Sequence, residues 1–158
     1  MAKALVAYYS NTGNTKKMAE KIAASLEANG VPADLRPVSG VTPSDLLEYD
    51  AVVLGSPTYY GTMSWDVKKL LDESVKHHGK LRGRVGGAFT SSGNLAGGNE
   101  TTVLDILKAL MIHGMVVLGS EHGDHYGPVA VGRPDTRSLK SCERYGQRLA
   151  GLILKLFP

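Results

Sequence analysis

Apolar positions fall into short continuous runs separated by longer amphipathic stretches. Lys3 to Tyr9 carries Leu5, Val6, Tyr8 and Tyr9, and Asp50 to Ser56 reads Asp-Ala-Val-Val-Leu-Gly-Ser. Runs of this length, apolar on both faces, predict buried strands. Val31 to Val38 predicts a second strand; Pro32 and Pro37 near its ends suit a sheet edge, where a missing N–H costs least. Val85 to Thr90 and Met115 to Leu118 predict the fourth and fifth. Between them apolar residues recur at helical spacing: Met18, Ile22, Ala23 and Leu26 before the stop Asn29-Gly30; Trp65, Leu70 and Leu71 within Ser64 to Ser74; Val103, Leu104, Ile106, Leu107, Leu110 and Met111 within Thr101 to His113, closed by Gly114. Leu139, Cys142, Leu149, Ile153 and Leu156 mark one side of a last helix, Asp135 to Phe157. Thr42-Pro43-Ser44-Asp45 reads as a helix start, Thr42 as N-cap and Pro43 at the first helical position, giving a short turn through Glu48; Glu121 to Arg133 reads as an irregular loop.

Strand and helix alternate along residues 1–158 without an internal repeat or low-complexity linker, which predicts one α/β domain: a parallel sheet covered by helices on both faces. Right-handed crossovers leave few topologies. In open sheets of this kind ligands bind beyond the carboxyl ends of the strands. The loops after strands one, three and four share that rim, and all three are rich in small polar residues.

Ser10, Asn11, Thr12, Gly13, Asn14 and Thr15 join the first strand to the first helix. A tight turn aims backbone N–H groups into one concavity, and the helix start adds unsatisfied donors and its positive dipole end. Three hydroxyls complete a phosphate cradle. The turn holds no lysine of the Walker type and lacks the three spaced glycines of a dinucleotide loop, so a terminal monoester phosphate suits it best. Lys16 and Lys17 oppose the helix dipole, which a bound anion offsets at Lys16; Lys17 is read as solvated. The second loop offers Pro57, Thr58, Tyr59, Tyr60 and Gly61; the third offers Ser91, Ser92, Gly93, Asn94, Gly97 and Gly98. Tyrosine stacks on flat ring systems, and glycine-rich backbone reads a polar edge. A ligand with a phosphate at one end and a heteroaromatic system at the other matches all three loops, and flavin mononucleotide (FMN) meets both conditions.

Ser10 to Thr15 resembles the phosphate loop of flavodoxins, Thr/Ser-x-Thr-Gly-x-Thr. The later loops look more like those of the Wrb-type NAD(P)H:quinone reductases, relatives of flavodoxins. Gly55-Ser-Pro-Thr-Tyr-Tyr-Gly-Thr-Met63 is similar to their Gly-x-Pro-Thr-Arg-Phe-Gly-Asn-Met. Phe89-Thr-Ser-Ser-Gly93 and Gly97-Gly-Asn-Glu-Thr-Thr102 resemble Phe-x-Ser-x-Gly and Gly-Gly-x-Glu-x-Thr; His113-Gly-Met-Val116 and Tyr126-Gly-Pro128 match further segments. The resemblance implies a flavodoxin-like three-layer sandwich with a five-stranded parallel sheet of order 2-1-3-4-5. It implies non-covalent FMN on the rim, with His113 beside the flavin as hydrogen bonder or proton donor. It also implies NAD(P)H and a quinone-like acceptor as partners. Members of that family are typically oligomeric, which implies a homo-oligomer. Three functional readings follow: a reductase passing electrons from NAD(P)H to a quinone, an electron carrier between redox proteins, and an FMN-binding regulatory module.

The chain departs from those reductases in a brief connection, Ser39 to Asp45, between strands two and three, and in having no tryptophan within Glu73 to Gly79. Its formal net charge of +3 contrasts with strongly acidic flavodoxins. Charge that is neither concentrated nor interleaved with aromatics gives no support for nucleic-acid binding. No run reaches the ~20 apolar residues of a membrane helix. The N-terminus lacks a signal-peptide pattern, and Cys142, the single cysteine, excludes an internal disulfide; both fit a cytoplasmic protein. Glu121, His122, Asp124 and His125 are metal-ligand types, but a glycine-rich loop gives them no regular frame, and no metal is assigned. His77 and His78 read as a helix end in solvent. Ser56 and Ser92 lack a nucleophile elbow, and Cys142, placed mid-helix, is read as a core thiol.

Overall fold

A computed structural model describes all residues, Met1–Pro158. The strands are β1 (Ala4–Tyr8), β2 (Ala33–Pro37), β3 (Ala51–Pro57), β4 (Val85–Ser92), β5 (Val116–Val117) and β6 (Val129–Val131). The helices are α1 (Asn14–Ala28), α2 (Trp65–Glu73), α3 (Asn99–Ile112) and α4 (Thr136–Leu156). All strand pairings are parallel, in the order β2-β1-β3-β4-β5, with β6 also on β4. The architecture is the expected one, a flavodoxin-like sandwich.

The central strands are apolar on both faces because both faces are covered. Val6, Val53 and Phe89 point toward α1 and α4, meeting Met18, Ile22, Leu149 and Ile153 in a core of 20 buried residues. Leu5, Val52 and Leu54 point the other way, onto Val67, Leu70, Ile106 and Leu110, in a core of 19. The near-equal division is what a doubly covered sheet requires. Two glycines permit its closest packing. A Cβ at Gly55 would stand 2.1 Å from the Phe89 ring, and one at Gly146 would stand 2.6 Å from Ser25 Cβ, where α1 meets α4.

The fifth sheet position is divided. β5 pairs with Val85 and Gly86, β6 pairs with Thr90 to Ser92, and residues 118–128 loop out between them. Beside that break the Ala88 N–H has no strand neighbour, and it donates to the Tyr145 hydroxyl of α4 at 3.1 Å. Ala88 O faces Gly127, where a Cβ would lie 2.1 Å from it. Only glycine admits this approach of two backbones.

Four expectations change. The stretch read as an irregular loop contains β6; Val129-Ala-Val131, bounded by Pro128 and Gly132, is a strand too short for periodicity to declare. Trp65 is 70% exposed, beneath Lys69 Nζ at 5.2 Å from its ring centroid. The buried stripe of α2 is Val67, Leu70 and Leu71, and Trp65, two residues before Val67, falls on the other side. Leu156 is exposed near the end of α4. The turn opened by Thr42 is only a 3-10 segment, Asp45–Glu48.

Candidate functional site

β1, β3 and β4 end at the same edge of the sheet, so the three small-residue loops converge there. Direct contacts join them. Thr15 Oγ1 lies 2.8 Å from Ser91 Oγ, linking the first loop to the third. The Thr58 amide donates to Ser91 O at 2.8 Å, and Thr58 Oγ1 sits 3.0 Å from Thr90 Oγ1 and 3.1 Å from Thr102 Oγ1. Thr90 Oγ1 in turn donates to Ser56 O at 2.6 Å. Tyr9 and Tyr59 meet edge to face, centroids 6.2 Å apart. Ser92 Oγ donates to Asn94 O at 2.9 Å and accepts from Asn99 Nδ2 at 3.2 Å, closing the third loop on itself.

The helix starts divide into two kinds. α2 and α4 are capped by side chains, Ser64 and Asp135, each accepting a backbone N–H. α1 and α3 begin after Gly13 and Gly98, both in the left-handed region at φ 94° and 104°, and neither receives a side-chain cap. The uncapped pair follow β1 and β4, the strands whose loops carry the small polar residues of this rim. Apart from the Glu100 N–H, which donates to Asn99 Oδ1 at 3.3 Å, their first amides are left for a ligand, in the arrangement that favours anions. Ser10 Oγ accepts the Gly13 N–H at 3.1 Å, which shapes the turn without blocking it. A Cβ on Gly13 would meet nothing within 4 Å, so the turn opens on free space.

A cavity of about 370 Å³ adjoins this turn, lined by Tyr9, Ser10, Asn11, Gly13 and Lys16. It also touches Ser39 and Asp66, which sequence reasoning missed. Their signal was topological: the loop after β2 and the start of α2 also lie at carboxyl strand ends.

The second loop ends in a two-residue turn. Tyr59 and Thr62 exchange backbone hydrogen bonds of 2.8 and 3.1 Å, with Tyr60 at φ 49° and Gly61 at φ 80° between them. Two successive positive φ values are the mark of a type I′ turn. Tyrosine is costly there, by roughly 1–2 kcal/mol. The turn is clamped: Thr101 Oγ1 donates to Gly61 O, and Thr62 Oγ1 to Asp105 Oδ2 at 2.7 Å. The Tyr60 ring stands free of the protein, and burial holds the Tyr59 phenol above the ordinary tyrosine range.

His113 is not brought to this rim. It follows α3, 14 residues or about 21 Å beyond the helix start. The neighbouring Gly114 O accepts the Gly83 N–H at 2.9 Å, ahead of the first residue of β4. His113 therefore lies at the amino edge of the sheet. It is buried, with Nε2 2.7 Å from Ser74 Oγ, and His78 stacks obliquely 6.2 Å away. The expected place beside the flavin fails on direction: a helix leaving the carboxyl rim returns its C-terminus to the opposite one. His77 is half-buried rather than solvated, with Nε2 3.2 Å from Ser44 Oγ.

The two carboxylates of 121–125 are engaged elsewhere. Asp124 accepts from Ser141 Oγ at 2.6 Å, the Val129 amide at 3.0 Å and Arg137 at 3.1 Å; Glu121 pairs with Arg148 at 3.4 Å.

A family model described as a flavodoxin domain matches residues 5–114. The chain belongs to the flavodoxin family. It is 39% identical to a flavodoxin of Aquifex aeolicus over 95% of this chain and 86% of that protein. It is 30% identical to a NAD(P)H dehydrogenase (quinone) of Archaeoglobus fulgidus over 99% of this chain and all of that one. Its structure superposes on the crystal structure of a flavodoxin, WrbA-like protein from Agrobacterium tumefaciens with a TM-score of 0.83 at 29% identity, covering 98% and 99% of the two chains. FMN is the cofactor of this family, and the open glycine turn, the uncapped helix starts and the neutral hydroxyls fit its phosphate. No helix is long and apolar enough to cross a membrane.

Proposed function

We propose that residues 1–158 form one FMN-dependent oxidoreductase domain that takes electrons from NAD(P)H and passes them to a quinone-like acceptor. The observation that carries this reading is the pairing of two uncapped helix starts, at Gly13 and Gly98, on one rim. The first cradles the phosphate with Ser10, Asn11, Thr12, Asn14 and Thr15, and Lys16 adds a positive charge beside it. Pro57, Thr58, Tyr59, Tyr60 and Gly61 bound one side of the ring system, and Ser91, Ser92, Gly93, Asn94, Gly97 and Gly98 bound the other. FMN, when bound, supplies the redox chemistry; the protein fixes its position and tunes its potential. The exposed Tyr60 and Trp65 leave an aromatic approach to the ring edge where a flat acceptor stacks. The relatives named NAD(P)H dehydrogenase (quinone), similar along essentially the whole chain, support this assignment. A cytoplasmic location belongs to the same reading, since the one cysteine is a buried free thiol.

The flavodoxin of Aquifex aeolicus, at higher identity, favours a second reading: an electron carrier without its own substrate. An absorbance spectrum followed by anaerobic titration with NADPH and then NADH separates the two. Prompt bleaching of a flavin spectrum by either nucleotide supports the reductase. Bleaching by dithionite alone supports the carrier. A protein that neither carries nor takes up FMN overturns both.

A further inference from the structure

A second cavity, larger than the one at the phosphate turn, is lined by other residues. It encloses about 510 Å³ between α4 and the loop of residues 118–128, and shares no residue with the cavity at the phosphate turn. A volume of that size is typical of small-molecule sites. Four cations of α4, Arg137, Lys140, Arg144 and Arg148, line one side of it. Their spacing of three, four and four residues places them along one face of the helix, spanning about 16 Å.

Two carboxylates line the same cavity, and each has its own partner. Asp124 is held by Arg137, Ser141 and the Val129 amide. Glu121 pairs with Arg148, which also donates to Gly119 O at 2.8 Å. Arg137 reaches Val129 O besides Asp124. The two outer cations are thus anchored and neutralised, and they hold the walls of the cavity in place. Lys140 and Arg144 have no ion pair and no hydrogen bond. They stand one helical turn apart, where like charges repel. A concave site with two fixed ion pairs at its ends and two unneutralised cations at its centre is built for an anion of multiple charge. Guanidinium and ammonium groups at this separation suit adjacent phosphates, the guanidinium binding through two parallel N–H donors.

We propose that this cavity binds a small phosphorylated molecule with two adjacent phosphate groups, held by Lys140 and Arg144. The ligand is either a free diphosphate or the diphosphate of a nucleotide. Binding is independent of the flavin rim and weakens with rising salt.

Calorimetric titration of the purified protein with pyrophosphate, and separately with ADP, tests this while flavin absorbance is followed. Both probes bind the natural chain, and Lys140→Ala/Arg144→Ala weakens each by about tenfold or more with flavin content unchanged. Both residues are exposed, so the double variant keeps its fold. Equal affinity for the two probes assigns the site to diphosphate alone; tighter ADP binding assigns it to a nucleotide. Absence of binding at millimolar concentration, equal binding by the double variant, or loss of flavin during titration overturns the proposal.

Discussion

Gly98 and Gly61 touch through their backbones: a Cβ built on Gly98 would lie 2.5 Å from Gly61 Cα. This contact locks the second loop to the third, and Gly98 also occupies the left-handed region. Gly98→Ala therefore both strains its own backbone and pushes the loops apart. The expected result is a loss of about 1–3 kcal/mol in stability and FMN binding weakened by at least an order of magnitude. Urea denaturation and fluorimetric FMN titration measure the two. Unchanged affinity would show that the flavin does not span these loops.

Tyr60 is the reverse case, a side chain kept in a conformation that disfavours it. Tyr60→Gly relieves the turn and raises stability by about 1 kcal/mol. It also removes the exposed ring, so FMN affinity falls. A variant that gains stability without losing flavin would mean that the tyrosine has no part in binding.

Tyr145 substitutes for a missing strand by accepting the Ala88 N–H. Tyr145→Phe leaves that donor buried and unpaired, costing about 1–3 kcal/mol. Burial pushes the Tyr145 phenol up to about 12. Because the folded state holds this proton more tightly than the unfolded one, stability is full below about pH 10 and declines as the pH rises toward 12. The buried Cys142 thiol, also pushed up to about 12, adds a loss of its own that begins lower, near pH 9, where the unfolded thiol ionises. Thermal melts from pH 8 to 12 show a shallower alkaline loss in the phenylalanine variant.

His113 answers to acid. Burial, followed by the neighbouring His78 and His77, lowers its pKa below the ordinary histidine value. The folded state favours the neutral ring, so this contribution is present above about pH 6.5 and is lost as the pH falls below it. His113→Gln flattens the acid limb of the stability profile. It leaves the flavin reduction potential of an isolated chain unchanged, since His113 lies at the opposite edge of the sheet from the rim. A shifted potential would contradict that placement.

The layers and the convergence of three loops were legible because each rests on long runs: continuous apolar strands and helical periodicity over ten or more residues; the strand order came from the resemblance of the loops to those of flavodoxins. The uncapped glycines were visible as residues, though not as the exceptions among four helices. His113 was misplaced because a motif carries no direction, whereas counting α3 along its axis puts it across the sheet. β6 escaped because three residues cannot establish a period, and the need for glycine at 127, just ahead of it, shows only in the approach to Ala88 O. The basic face of α4 was hidden by the modest net charge, as its four cations are spread over twelve positions.

The divided edge also bears on how the protein behaves when crowded. An uninterrupted outer strand is a template on which a neighbouring molecule can add its own. Here the outer position presents two residues, then an outward loop, then three, and at the break the sheet is closed by a side chain from within. The far edge, β2, ends in a proline and follows another at Pro32. Each border therefore offers only a short length of free backbone to a second sheet, a limit set by the outline of the fold rather than by its charge.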